Sequence, residues 1–188
     1  MIETARLALR PWKEKDLPEF IRVTNTENVM RHLGGVMGAD YYQSVFERMR
    51  ASQETEGFCF WLAERRADGG LLGFCGFKRG SIGPITGELE IGWRFREDVW
   101  GQGYAREAAE ASLAWVWETR PEKMVYAITV PQNTKSRALM ERLGMTRRMD
   151  LDFEHAAYPA GHPLRPHITY SIARPVVSRG QDATEALA

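Results

Sequence analysis

Glu88-Leu89-Glu90-Ile91-Gly92-Trp93-Arg94-Phe95-Arg96-Glu97-Asp98-Val99-Trp100-Gly101-Gln102-Gly103-Tyr104-Ala105 reads as a strand, a glycine loop and the start of a helix. In the strand half, Leu89, Ile91, Trp93 and Phe95 alternate with Glu88, Glu90, Gly92 and Arg94. That period of two predicts a half-buried strand with one apolar and one polar face. In the loop half, Gly101 and Gly103 flank Gln102 just before an alanine-rich helix. Glycine lets the backbone turn sharply and approach a ligand closely. The free N–H groups at a helix start favour an anion. An ordinary strand-to-helix turn has the same local appearance, so the rest of the chain must decide.

Downstream, a helix is expected from Tyr104 to about Thr119, with Ala105, Ala108, Ala109, Ser112 and Ala114 small enough to pack closely on a sheet. Met124 to Val130 is the most strand-like run in the chain. Asn133 is placed to cap a short helix through Leu143, and Gly144 to stop it. Met145 to Phe153 reads as a strand, Glu154 to Pro166 as a proline-rich loop, and His167 to Ile172 as the last strand. Upstream, Ala5 to Arg10 reads as the first strand. Asp16 is expected to cap a helix, with Glu19 completing a capping box. Helical pieces follow over Asn25 to His32 and Tyr41 to about Ser52. Phe58 to Glu64 and Leu71 to Lys78 form a hairpin through Asp68-Gly69-Gly70. The pattern is a mixed α/β domain of about seven strands and four helices over residues 1–175, with residues 176–188 as a disordered tail.

Composition narrows the function. Lys+Arg and Asp+Glu both number 25, so the basic footprint of a nucleic-acid binder is absent. No apolar run approaches a membrane span, and no signal-peptide pattern opens the chain, so a cytoplasmic protein is expected. Cys59 and Cys75 lack metal-ligand spacing and read as buried reduced thiols. No metal is expected.

Two strand-to-helix junctions now follow one another: Phe95 into Gly101 and Gly103, and Val130 into Asn133 and Ser136. If those strands splay apart, an extended ligand fits between them. The ordered set Glu90-Ile91-Gly92-Trp93, Trp100-Gly101-Gln102-Gly103-Tyr104-Ala105, Asn133-Thr134-Lys135-Ser136 and Leu139-Met140-Glu141-Arg142-Leu143-Gly144-Met145 resembles the GCN5-related N-acetyltransferases. The opening Thr4 to Trp12 is similar to the branch of ribosomal-protein N-terminal acetyltransferases. The resemblance spans roughly residues 4 to 173. It implies the acyl-CoA N-acyltransferase fold and acetyl-CoA as donor. The backbone of Ile91, Gly92, Trp93, Arg94 and Phe95 would pair with the pantetheine. The loop Trp100, Gly101, Gln102, Gly103, Tyr104 and Ala105 would hold the pyrophosphate, with Asn133 and Ser136 near the reactive end. Two departures stand out. Trp100 is read at the loop's first position, where the family has Gln or Arg, and Met140 replaces the tyrosine that protonates the leaving thiolate. The branch resemblance implies that Ser136 assists the thiolate.

The implied chemistry is acyl transfer from a thioester to a neutral amine. An α-amine has a pKa of about 7.7–8.0 and a lysine about 10.4, so at neutral pH the lysine costs more than about 4 kcal/mol to deprotonate. A base would help either acceptor. Glu90, on the polar face of its strand, is the leading candidate. Glu154 is the second, and Glu88 a weaker third. Each equally reads as a solvated or ion-paired residue. The branch leans towards a peptide N-terminal α-amine. A small amine (amino acid, polyamine or drug) is the alternative within the class, and a non-catalytic acyl-CoA-binding module the alternative outside it. Tyr158 and His155, His162 and His167 are candidate linings of the acceptor site, with plain surface residues the simpler reading of the histidines. A monomer or homodimer is expected.

Overall fold

Two short strands, β1 (Ile2–Glu3) and β2 (Leu7–Arg10), open the chain as an antiparallel pair. Helices α1 (Leu17–Thr24), α2 (Glu27–Met30) and α3 (Ala39–Glu56) follow. Strands β3 (Phe60–Arg65), β4 (Leu71–Arg79) and β5 (Leu89–Phe95) form an antiparallel meander. Helix α4 (Tyr104–Thr119) crosses back so that β6 (Met124–Thr129) lies parallel to β5. After α5 (Thr134–Arg142) come β7 (Thr146–Arg147), β8 (Phe153–Glu154) and β9 (Pro166–Ala173). The order across the sheet is β1-β2-β3-β4-β5-β6-β9-β7, with β8 also on β9. The computed structural model describes residues 1–176, so the expected tail, from residue 177 on, lies outside the described residues.

The expected mixed architecture is present, and α4 spans the expected residues. Its small residues do what their size allows. Ala108, Ala109 and Ser112 are wholly buried against the sheet, and Ser112 Oγ lies 3.9 Å from Cys75 Sγ. Both cysteines are buried and unpaired, and burial pushes each thiol up to about 12.

The expectation of a half-buried β5 needs correction. Its apolar face packs under α4, but its polar face is covered too. Phe74, on the neighbouring strand, stacks on Phe60 with centroids 4.9 Å apart and on Phe20 of α1 at 5.8 Å. Glu90 and Arg94 share that face and are 7% and 8% exposed. Gly92 sits between them because a Cβ there would lie 2.8 Å from the Phe60 ring.

Two local expectations also change. The stretch 145–153 is not one strand. It breaks into β7, a 3-10 turn at Met149–Leu151, and β8. The pairs Arg148–Asp150 and Arg147–Asp152 stabilise the turn locally, and Met149 points into solvent. Asp16 does not cap α1 with its side chain. Its carboxylate takes two hydrogen bonds from Arg10, at 2.7 and 2.9 Å, and one from the Lys13 N–H. Burial opposes its ionisation, but the Arg10 hydrogen bonds and the Lys13 N–H outweigh that and hold the carboxyl below the usual range. Asp16→Ala is therefore expected to destabilise the fold by roughly 2–3 kcal/mol, because it leaves charged donors without their acceptor. With the folded pKa depressed, this contribution is present above the unfolded value and is lost as pH falls through the folded one. Urea unfolding at pH 7 and pH 3 checks both: the gap between wild type and variant should shrink at the lower pH.

Candidate active site

The site is a wedge between β5 and β6. Glu90 pairs with Tyr126, and this is the single bridge recorded between the two strands. Beyond it the strands part. The edge of β5 from Ile91 to Phe95 that faces β6 therefore has no ladder partner among the described residues. Such an edge has free backbone groups for an extended polar ligand.

Above the wedge stand two helix N-termini. In the first, Gly101 (φ +76°) and Gly103 (φ +82°) occupy the left-handed region, and Gly103 caps α4. Among the described residues no acceptor outside the helix meets the N–H groups of residues 101 to 105, and the first bond of α4 runs from the Glu107 N–H to the Gly103 carbonyl at 3.0 Å. A run of free N–H groups in this geometry suits a pyrophosphate. In the second, Asn133 caps α5 and accepts from the Ser136 N–H at 3.3 Å, as expected. The two ends meet across the wedge, where Lys135 Nζ lies 3.9 Å from the centroid of the Trp100 ring.

Trp100 has a structural task. Its indole N–H donates to the Phe95 carbonyl at 2.9 Å, which ties the loop to the end of β5. With Trp100 at the first position of the family's pattern, Gly103 and Ala105 fall at its fourth and sixth positions. Trp100 thus offers no free polar side-chain group at that position, and what the loop presents is its backbone N–H groups.

Sequence reasoning missed Arg6. Its guanidinium lies 4.3 Å from the Tyr104 ring centroid, donates to the Gln102 carbonyl at 2.9 Å, and pairs with Glu107 at 2.6 Å. Glu107 sits in the first turn of α4, where its charge would compete with an anion. Burial works against its ionisation, but hydrogen bonds from Thr4 and Arg6 hold it ionised. Arg6 thus braces the loop and screens that charge. A separation of 101 residues gave no local signal.

Glu90 lies at the vertex of the wedge. Lys78 Nζ is 2.7 Å from its Oε2, yet the contact lies off the hydrogen-bond direction, so Oε2 is buried without a well-aligned donor. Burial pushes the carboxyl's pKa up and Lys78 only partly pulls it back. Glu154 is elsewhere. It pairs with Pro166, five positions along β9 from Ser171, the partner of Tyr126. That is about 16 Å along the strand at ~3.3 Å per residue. Glu154 is also exposed and bound to Arg165 at 2.7 Å. The structure does not bring the two carboxylates together. Met140 is buried in α5 and offers no proton.

A cavity of about 420 Å³ lies beyond the end of β6, where Gln132 forms part of its wall. Arg31, His32, Gly34, Gln132, Tyr158 and His162 are among its walls. The loops bearing Gly34 and Tyr158 nearly touch, since a Cβ on Gly34 would be 3.3 Å from the Tyr158 hydroxyl. The three loop histidines extend an aromatic ladder: Phe153 on His167, His167 by His155, His155 by Tyr158, and Tyr158 stacked on His162 at 4.7 Å. His155 and His162 each accept a backbone N–H at Nδ1. They shape the loop. Among the described residues no group of three or more His, Cys, Asp or Glu could hold a metal ion, and no helix is long and apolar enough to cross a membrane.

Comparison with known proteins agrees with this geometry. The family described as "Acetyltransferase (GNAT) domain" matches residues 6–146. An uncharacterized protein of Bacillus subtilis (strain 168), YkkB, is 30% identical over 143 residues, covering 76% of this chain and 83% of that one. The crystal structure of an acetyltransferase from Agrobacterium tumefaciens str. C58 superposes with a TM-score of 0.74 at 28% identity, covering 91% of this chain and 92% of that one. A ribosomal-protein α-N-acetyltransferase in complex with coenzyme A superposes with a TM-score of 0.73, covering 90% and 95%, but at 18% identity it shares the fold alone. The narrower branch suggested by the opening residues is thus not established. The chain belongs to the GNAT acetyltransferase family, whose general activity is acetyl transfer from acetyl-CoA.

Proposed function

We propose that the protein moves the acetyl group of acetyl-CoA directly onto a small primary amine, with Glu90 as the base. The observation that carries this reading is the wedge, with one buried carboxylate at its vertex and a run of free N–H groups at its mouth. The backbone edge of β5 from Ile91 to Phe95 would bind the pantetheine amides. The loop from Trp100 to Ala105 would bind the pyrophosphate, and Lys135 stands beside it. Glu90 draws one proton from the acceptor ammonium, the amine nitrogen attacks the thioester carbonyl carbon, the carbon–sulfur bond breaks, and the second proton shed by the nitrogen passes to the departing thiolate. Ser136, in the first turn of α5, is proposed to steady the departing thiolate. The Asn133 cap fixes the turn that carries it.

The cavity favours a small acceptor over a protein N-terminus. The Gly34 and Tyr158 loops approach each other at its wall, which narrows it relative to the open groove a peptide needs. Fold likeness is silent on this choice, since acceptors vary with loop residues. A thiol-release assay with small amines and N-terminal peptides tests the proposal. CoA release with small amines is expected. Release with peptides alone would move the acceptor to the protein class, and tight acetyl-CoA binding with no release from any amine would leave a binding module. Ser136→Ala is expected to lower kcat about tenfold and the affinity for acetyl-CoA far less. An equal loss in both would reassign Ser136 to binding.

A further inference from the structure

Arg94 is a charge in an expensive place. It is 8% exposed, with its guanidinium carbon 5.3 Å from the Phe74 ring centroid and 5.9 Å from that of Phe20. Its Nε and Nη1 atoms are buried, and among the described residues no acceptor bonds either one. The Tyr42 hydroxyl is a polar side-chain neighbour of the guanidinium, which it meets through both charge and hydrogen bonding, but it is neutral and donates its own proton to Met30 Sδ at 3.6 Å. No carboxylate pairs with the guanidinium among the described residues; the ion pairs there all lie on other groups. A buried ion without a counter-charge is costly to keep out of water. The two aromatic faces offset only part of that cost. A methionine would fill the same space more cheaply, so packing does not explain the charge.

Its position suggests what does. Glu90, Gly92 and Arg94 share one face of β5. Glu90 is at the vertex, and Arg94 is four residues further, where the strands have parted. Met30, whose sulfur takes the Tyr42 bond, is followed directly by Arg31 and His32 of the cavity wall.

We propose that Arg94 is the acceptor's anion receptor, binding a carboxylate on the same molecule whose amine Glu90 deprotonates. This rests on the acetyl-transfer reading above and adds the chemical class of the acceptor. A guanidinium offers a carboxylate two parallel N–H groups, either Nε with Nη2 or Nη1 with Nη2, and the Nε and Nη1 members of these forks are unused. The paired charges also set direction: Glu90 repels the carboxylate and attracts the ammonium, while Arg94 does the reverse. Four residues of extended strand separate the two Cα atoms by about 13 Å. That spacing suits an amine several bonds from its carboxylate, an ω-amino acid or short peptide, better than an α-amino acid.

The probes are the ω-amino acids from glycine to 6-aminohexanoate, each compared with its amide. Thermal shift gives a readout independent of turnover. The longer acids are expected to raise the melting temperature of the wild type, and their amides are not. Arg94→Met should abolish that rise, keep the shift caused by acetyl-CoA, and melt no lower than wild type, since removing a lone buried charge is neutral or stabilising. In turnover, the KM for the acids should rise at least tenfold in Arg94→Met, and the KM for the amides should change far less. Equal shifts by acids and amides, or an acid shift that survives Arg94→Met, would overturn the proposal. If Arg94→Met does not fold, Arg94→Lys decides: it keeps the charge but loses the fork, so a weakened acid shift is expected and an unchanged one refutes the receptor. An acid-specific shift without CoA release from any amine would remove the transfer reading and leave the receptor standing. CoA release that ignores the carboxylate would do the opposite.

Discussion

Glu90→Gln is expected to cut kcat by about 10²–10⁴-fold, the usual contribution of a positioned general base, while the KM for acetyl-CoA stays within a few-fold. Glutamine keeps the shape and one carbonyl oxygen, so the tight packing against β4 and the bridge to Tyr126 survive. What goes is the ability to take a proton. The carboxyl's pKa is raised by burial against the pull of Lys78, so the base reaches its working form only as pH climbs through that raised value. The rate of the wild type should therefore rise with pH over this limb, and the limb should vanish in the variant. Stability moves the other way. A carboxyl whose folded pKa exceeds its unfolded value of about 4.3 favours the folded state below that value, and this is lost as pH rises through the folded pKa. At pH 7 the variant is spared the buried charge, and Lys78, 26% exposed at its side chain, can turn to water. Glu90→Gln should thus melt at or above the wild-type temperature at pH 7. Steady-state kinetics from pH 5.5 to 9, with circular dichroism melts beside them, decide the matter. An unaltered kcat would return Glu90 to the role of a buried ion-pair residue.

Gly103→Val should weaken acetyl-CoA binding at least tenfold by titration calorimetry. A valine at φ +82° is strained by roughly 1–2 kcal/mol. Its Cβ would also lie 3.3 Å from Arg6 Nη2, which cannot yield freely because Arg6 is fastened to Gln102 and Glu107. Relief must come from the loop, and that turns the free N–H groups away from a common point. Gly69→Val supplies the control. Gly69 has φ +71° in the β3–β4 turn with nothing within 4 Å of an added Cβ, so it carries the strain without the site. Both variants should lose stability, but only Gly103→Val should lose affinity. Matching affinities would remove the loop as the pyrophosphate site.

Much of the fold was legible because it depends on local periods. Alternation located the meander strands, alanine spacing located α4, and Asn133 and Gly144 marked both ends of α5. Legibility failed where distant or competing partners decide. Asp16 has the composition of a cap but is taken by Arg10. Residues 145–153 alternate well enough for a strand, yet neighbouring Arg–Asp pairs fold them into a turn.

For the site, the sequence by itself determined the parts in contact with the donor: a strand, a glycine loop and a capped helix, in an order that resembles one family. These are backbone features, set by residues a few positions apart, so they can be read along the chain. Tertiary structure alone decided the electrostatics. The polar face of β5 looks solvated in sequence, but α1 and Phe74 cover it, and that burial makes Glu90 a reluctant acid and Arg94 an unpaired cation. The separation of Glu90 from Glu154, and the bracing of the anion loop by Arg6, likewise follow from sheet order and long-range packing. Charge takes its character from the water removed around it, and the side chains that remove it here come from elements up to seventy residues or more away.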